Sequence, residues 1–535
     1  MSSPPTEPNS PVPRTTVAFE LDGRPVEVAD DGASLLDVLR GPLGTRSAKD
    51  GCSPQGQCGC CTVLVDGSPR VSCVTPARRV SGRSVRTLDG LGPDVRAAWA
   101  DAFLACGASQ CGFCTPGIVV RLEALRTSST TREGAVDRAL AAHLCRCTGW
   151  QTIEEAVEAY GRPAPTGRDL DAAGRRATLE LGSPQRVGPD VVLGAAGFSA
   201  DGAPDGCLVA VPGPDGGWVV AESVAAARRA AGKVQGRRTT VAPVPPVDLP
   251  GGDDGLTLRT AWVDAAYVET DASWCEPGGE PTPAAANGGA FGGKRGGPLP
   301  AAPRALADGH GRGGRALWSR EDCCRWAPKR RPLAARVRPD GTGRVRVVRT
   351  PGVVDAILAA APGFDVEEVD VAGPSTSSAL RAAGWAEAVV LLAGAGASSP
   401  VVQAEGDSVR VAGRGGGWAE AAVVDGALRV RVDGGDPLDE VVLRSYCIGA
   451  THMALGWVTS EGLAVDADGT VQDLTVRSLG VLPASRTPHV DVVIDGGGGP
   501  PVPVSDAGFA AFAAALWRNQ GCPPEWPTGR SLDGP

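Results

Sequence analysis

An α+β chain in three successive units is what the sequence predicts, on three observations. Two hairpin signals flank a short helix near the start, apolar residues at helical spacing take over near Arg96, and after about Leu181 short strand candidates alternate with helical stretches. At 535 residues the chain is too long for one ordinary core, so several domains are expected.

The elements follow in order. Residues 1–14, rich in proline and serine, read as a disordered tail. From Thr16, TVAFELDGRPVEVAD alternates apolar and polar residues around Asp22-Gly23, a hairpin signal. SLLDVLRGPLG reads as a short helix with Leu35, Leu36, Val38 and Leu39 apolar, and CTVLVDGSPRVSCV as a second hairpin turning at Asp66-Gly67. Residues 15–92 thus form a small mixed sheet grasping one helix. In 93–160, Pro116 suits the first turn of a helix whose Ile118, Val119, Leu122 and Leu125 share a face. Val136, Leu140 and Leu144 mark a second helix, and Thr152 with Glu155 a capping box opening a third. Residues 161–180, with RPAPTGRD, read as a linker. The remainder, 181–535, is a larger α+β domain with strands such as DGCLVAV, GRVRVVRT and GALRVRVDGG and a helical SALRAAGWAEAVVLLA.

Composition excludes several function classes. The net charge is −9 with pI ≈ 5.2, and the Lys and Arg residues are scattered, so no nucleic-acid partner is expected. No run approaches eighteen apolar residues and the start has no apolar signal core, so the expectation is a cytoplasmic protein without membrane contact. In a reducing compartment structural disulfides are unexpected, yet ten of the 16 cysteines lie between Cys52 and Cys147. The four histidines are far apart, which argues against a His-rich metal centre.

Those cysteines fall into two sets. Cys52, Cys58, Cys61 and Cys73 are spaced C-x5-C-x2-C-x11-C: three thiols from one loop and a fourth from the exit of the next hairpin. Gly51, Gly56 and Gly59 let that loop wrap and turn its N–H groups towards cluster sulfurs. A structural zinc site usually pairs two similar C-x2-C knuckles, so this lopsided spacing favours an iron–sulfur cluster. Cys60 is read as a spare buried thiol. The second set, Cys111-x2-Cys114 and Cys145-x-Cys147, sits near helix ends, where N–H groups stabilise thiolates. Alone it suits zinc equally well; in tandem with the first, iron–sulfur becomes the stronger reading.

SAKDGCSPQGQCGCCTVLVDG, QCGFCTPG and LCRCTGW, in this order, resemble the iron–sulfur subunit of the molybdenum hydroxylases, the family of xanthine dehydrogenase, aldehyde oxidase and carbon monoxide dehydrogenase. The resemblance covers about residues 16–160. It implies a β-grasp ferredoxin domain and a helical-bundle domain, each with one 2Fe–2S cluster, relaying electrons from a molybdopterin centre to a flavin. Between its first two cysteines this chain has one residue more than the family pattern. The resemblance also places Gln110 and Cys147 beside the pterin of the molybdenum cofactor.

The second half resembles a shortened molybdopterin-binding subunit. GGAFGGKR (288–295) is similar to the family's GGGFGGK loop, LWSREDCCRWAPKRRP follows it, and SALRAAGWAEA (378–388) is similar to an RGFG-type turn. SYCIGATHMALGWVTSEG (445–462) and TVQDLTVRSLGVLPASRTPHVDVVI (470–494) come next in the family's order. Gly289, Phe291, Gly292, Gly293 and Arg381 are thereby implied as cofactor contacts. The family's catalytic glutamate lies in a GVGEPP-like motif, where DGGGGPPVPVSDAG places Gly499. Glycine cannot serve as a base, and general base catalysis is worth about two to four orders of magnitude. The catalytic residue is therefore unassigned.

Three functions follow. The first is an oxidoreductase component: an electron-transferring chain with two 2Fe–2S clusters that docks on a molybdopterin-binding catalytic subunit and an FAD-binding subunit. FAD is then on a partner, and any molybdopterin is shared with or supplied by one. The second is a self-contained molybdopterin-dependent hydroxylase of a heterocycle or aldehyde with an atypical base. The third is a zinc-stabilised scaffold without redox chemistry. Gly499 beside intact cysteine sets favours the first. Neither substrate nor oligomeric state nor terminal acceptor is legible.

Overall fold

The computed structural model describes residues 15–128, 134–162, 167–233, 241–282, 289–295, 299 and 301–532. The tail expected over 1–14 lies outside them, as does Gly288 of the glycine loop. β1 (Thr16–Leu21) and β2 (Arg24–Ala29) form the first hairpin, α1 (Leu35–Arg40) follows, and β3 (Thr62–Val65) and β4 (Ser68–Val71) form the second. β5 (Ser84–Arg86) runs parallel to β1 and antiparallel to β3, joining both hairpins in the order β2-β1-β5-β3-β4. Asp22 and Asp66 take φ of 51° and 48°, the left-handed conformation that a two-residue Asp-Gly turn requires. Ser34 caps α1 in a capping box with Asp37, and the helix buries Leu35, Leu36, Val38 and Leu39 against Val17, Phe19, Val63 and Val85.

The next unit packs α2 (Pro93–Cys106), α3 (Thr115–Arg126), α4 (Ala135–Leu140) and α5 (Gln151–Ala159). Two local expectations need correction. Leu144 is not on the second helix, which ends at Leu140; it lies in the following loop, where its N–H donates to the Cys58 carbonyl at 3.0 Å. Nor do Thr152 and Glu155 form a capping box. Trp150 holds the N-cap position at φ 70°, Thr152 Oγ1 is buried without a partner, and Glu155 is drawn to Arg444 at 2.6 Å.

The segment read as a linker is also corrected. It contains α6 (Leu170–Leu181), capped by Asp169 onto the Asp171 and Ala172 amides and ended by left-handed Gly182. α6 is held because Ala173 and Ala177 join the main core, while Arg176 and Glu180 form a buried ion pair at 3.1 Å.

Beyond it lies a four-stranded sheet of β6 (Leu208–Pro212), β7 (Trp218–Ala221), β8 (Ala272–Cys275) and β9 (Gly314–Leu317), in the order β8-β9-β6-β7. Two five-stranded sheets follow, one built on Leu333–Val337 and Gly343–Val348, the other on Trp418–Val424 and Ala427–Asp433. α7 (Glu440–Thr459) and α8 (Ser505–Asn519) pack on each other between these layers, with Trp457 stacked on Phe509 at 5.1 Å between ring centres. One continuous apolar core runs from Phe103 and Ile118 of the helical unit through Ile448 to Phe512, whereas the first sheet has its own. Among the described residues no helix is long and apolar enough to cross a membrane.

Candidate metal centres

The first thiol set is shaped by tight backbone bonds around its loop. Gln55 N–H donates to the Cys52 carbonyl at 2.6 Å, and the Gln57 and Cys58 amides donate to Cys52 Sγ at 3.2 and 3.3 Å. Cys73 follows β4 on a short 3₁₀ turn, Ser72–Val74, and Ser72 Oγ ties that turn to the Cys61 carbonyl at 2.7 Å. Cys52 thus lies within hydrogen-bonding reach of Cys58 and Cys73, and Cys73 within reach of Cys61. All four are at most 3% exposed. Hydrogen bonds from its neighbouring thiols push the Cys52 thiol well below its ordinary range. Cys60 lies beside the set: its Sγ is 3.7 Å from the Cys58 carbonyl and within hydrogen-bonding reach of the Cys58 thiol, and burial pushes its own thiol up, which keeps it protonated.

The second set assembles from the start of α3 and the loop before α5. Cys111 and Cys147 sulfurs are 3.6 Å apart, and Cys145 lies within reach of both Cys114 and Cys147. Bonds from those two thiols push Cys145 far down, and Thr148 Oγ1 lies 3.2 Å from its sulfur. Four thiols in adjacent pairs suit a cluster of two irons, each taking two of them.

The two sets interlock. Thr62 Oγ1 bonds the Gly59 carbonyl at 2.6 Å and lies 3.3 Å from His143 Nε2. Gly117 of α3 sits so close to the Gly59–Cys60 backbone that a Cβ there would be 2.9 Å from Cys60 Cα. Burial pushes His143 down to about 4, so the ring between the sets is neutral. A strap from the second half crosses the first loop: Gln55 Nε2 donates to Leu474 O at 2.6 Å, and Val476 N–H donates to Gln55 Oε1 at 3.1 Å. Arg477 donates to Gln57 O at 3.1 Å and to Ala141 O at 2.6 Å. Arg320 reaches the Gly51 carbonyl at 3.0 Å from the other side.

The residues expected at a pterin are brought together, but onto one another. Gln110 Nε2 donates to Ser445 O and Oγ of α7 at 3.1 and 3.0 Å, leaving its buried Oε1 without a partner. Gly289, at φ 74°, faces Cys147 so closely that a Cβ would lie 2.7 Å from its sulfur, and Gly449 of α7 packs on the Cys147 carbonyl. Arg381 N–H donates to Phe291 O at 2.9 Å, and its guanidinium lies 4.6 Å from the Phe291 ring centre. A Cβ at Gly292 would strike the Ala379 carbonyl, and one at Gly293 would lie 2.8 Å from Ala265 Cβ. The space left between these groups is a cavity of about 30 Å³, bordered by Arg146, Phe291, Arg330, Arg381 and Glu461; a second, beside Gln110 and Tyr446, has about 10 Å³. Ion pairs close it: Arg146 with Glu461, Arg330 with Glu387 at 2.8 Å and Arg381 with Asp506 at 3.4 Å. Sites for molecules of cofactor size run to roughly 300–1,000 Å³. The residues present do not fit a pterin cofactor in this arrangement.

Gly499 is exposed, at φ 139°, with no atom within 4 Å of where its side chain would start. Sequence reasoning missed Glu180, a buried carboxylate that accepts the Val504 and Ser505 amides at the start of α8. The signal was present in Asp169 and Gly182 bracketing an amphipathic LDAAGRRATLEL.

Comparison with known proteins agrees with the thiol geometry. Residues 19–83 match the family described as 2Fe-2S iron-sulfur cluster binding domain, and residues 87–158 the family described as [2Fe-2S] binding domain. The chain is 41% identical over 150 residues to the nicotine 6-hydroxylase small subunit of Paenarthrobacter nicotinovorans, a match spanning 28% of this chain and 90% of that one. It is 37% identical over 147 residues to the xanthine dehydrogenase iron-sulfur-binding subunit of Escherichia coli O157:H7, spanning 26% and 91%. In fold it is similar to the aldehyde oxidoreductase of Desulfovibrio gigas, with a TM-score of 0.67 at 15% identity over 94% of this chain and 97% of that one.

Proposed function

Since the chain belongs to the family of iron–sulfur subunits of the molybdenum hydroxylases, we propose that it is the electron-transferring component of such an oxidoreductase, working with a separate catalytic subunit. The observation that carries this reading is the pair of interlocked four-thiol sets beside a cavity of only about 30 Å³ among the described residues expected at a pterin. Cys52, Cys58, Cys61 and Cys73 hold one 2Fe–2S cluster; Cys111, Cys114, Cys145 and Cys147 hold the other. Bound there, such clusters supply one-electron redox chemistry. The Gln57 and Cys58 amides stabilise charge on Cys52, and the strap at 474–477 with Arg320 shields the first loop from water.

In this reading the electrons come from a molybdopterin-binding partner and leave to an FAD-binding one, and the complex hydroxylates a heterocycle or an aldehyde. The second half is a structural lobe that keeps the shape of the catalytic subunit. Its fold likeness to an aldehyde oxidoreductase favours a second reading, a self-contained hydroxylase. The filled interior around Cys147 and the exposed Gly499 weigh against it.

A metal count on anaerobically purified protein separates the readings. The expected result is about four irons per chain with neither molybdenum nor zinc. About one molybdenum with the same iron would favour the self-contained enzyme, and zinc without iron would overturn the redox reading.

A further inference from the structure

Away from both thiol sets, a cavity of about 620 Å³ opens between α1 with the turn after it and the four-stranded sheet. Its volume lies within the range of small-molecule sites. Four arginines line it, Arg40, Arg46, Arg228 and Arg315. Arg40 bonds Asp201 at 2.6 Å, but Asp201 is shared with Lys49. Arg228 holds Asp50 at 2.8 Å. Arg46 donates to the Arg40 carbonyl, and its one carboxylate partner among the described residues is the fully exposed Asp205, at 3.8 Å.

Arg315, on β9, has no carboxylate in ion-pair range among the described residues. Its Nη1 makes one long bond to Ala200 O at 3.5 Å, and its buried Nε has no partner. Five cations, Lys49 included, thus face three enclosed carboxylates, Asp37, Asp50 and Asp201, while Glu27, Asp31, Asp205 and Glu222 stand exposed on the rim. A largely buried guanidinium without a counter-charge is costly, and Arg is the side chain best shaped to grip phosphate in two-point fashion. Burial, together with Arg40, Arg46 and Arg228, pushes Arg315 down to about 10, as expected where a negative charge is missing.

Beside the arginines the cavity has an apolar wall: Val209 and Leu317 flank Arg315 on the sheet, Leu36 lies one turn before Arg40 on α1, and Leu43 and Trp318 complete it. Phosphate alone would leave that wall unused. We propose that this cleft binds a phosphate ester of nucleotide size, its phosphate on Arg315 and Arg46 and its organic part on the apolar wall. None of the lining residues belongs to either thiol set or to the space around Gln110 and Arg381.

The test is calorimetric titration of the full chain, clusters in place, with adenosine 5′-diphosphate and separately with inorganic phosphate. Wild type should bind the nucleotide, with phosphate at least tenfold weaker. Arg315→Gln should weaken the nucleotide at least tenfold with the cluster absorption unchanged, while Arg338→Gln, at an exposed ion pair with Asp254, should not. Should Arg315→Gln lose its clusters, Ala225→Asp serves instead: it places a carboxylate in the first turn of the helix Val224–Ala230, beside the same arginines, and should abolish binding. Absence of nucleotide binding to wild type, or equal binding by wild type and the variant used, would overturn the site. Phosphate binding as tight as the nucleotide would overturn its proposed size class.

Discussion

Cys60 sits within a residue of one proposed ligand and two of another, yet turns its sulfur to a carbonyl. Spacing alone distinguished it, because Cys58 and Cys61 complete C-x2-C and Cys60 breaks it. Other single residues were not legible in this way. Thr152 and Glu155 have the spacing of a cap, but Glu155 is taken by Arg444, 289 positions away, which no local pattern reveals. Arg381 and Phe291, which the family resemblance implies as cofactor contacts, also lie 4.6 Å apart, guanidinium to ring centre. The prediction at this scale is Cys58→Ser. It should remove the absorption and spin signal of one cluster and leave the other, since Cys58 reaches only thiols of the first set and Cys60. Spectra recorded on the reduced protein decide it; loss of both signals, or of neither, contradicts the assignment.

Helices and hairpins divided by how local their cause is. Both Asp-Gly hairpins and α1 were legible, because a two-residue turn and a capping serine lie within the segment they organise. α6 reads as a linker in sequence because RPAPTGRD dominates its front, whereas its stability comes from packing against residues beyond position 430: Arg176 donates to Pro437 O and Val502 O at 2.9 and 2.8 Å. α3 carries the prediction here. Gly117→Ala would normally strengthen a helix, yet its methyl would press into the Gly59–Cys60 backbone. Overpacking of this kind costs roughly 1–3 kcal/mol. Chemical denaturation should therefore show a loss of about that size, with broadened spin signals from both clusters. A stabilised variant would mean that the two loops part more easily than their spacing implies.

The whole molecule was the least legible. Its last five-stranded sheet pairs Leu428–Val432 with Val490–Ile494, across an intervening helix, and the one built on Leu333–Val337 pairs Arg259 with Glu525 near the other end of the chain. Pairings of such separation leave no mark in a local alternation of apolar and polar residues. The first thiol loop has the same long reach, since Val476 closes on Gln55 from 421 positions downstream. That distance sets an order in time. While the chain is being made, the loop at Cys52–Cys61 emerges long before the strap that covers it, and only in that interval does it stand open to bulky inorganic cargo. Iron and sulfide supplied to a chain already folded without them should enter the first loop slowly, on the timescale of strap opening; reconstitution followed by absorbance, with and without a brief exposure to denaturant, measures it. Rapid loading of the folded chain would mean that the strap swings freely. If loading waits on denaturant, a cell starved of iron during synthesis would accumulate chains that later iron cannot rescue, and the supply at the ribosome would set how much working protein exists.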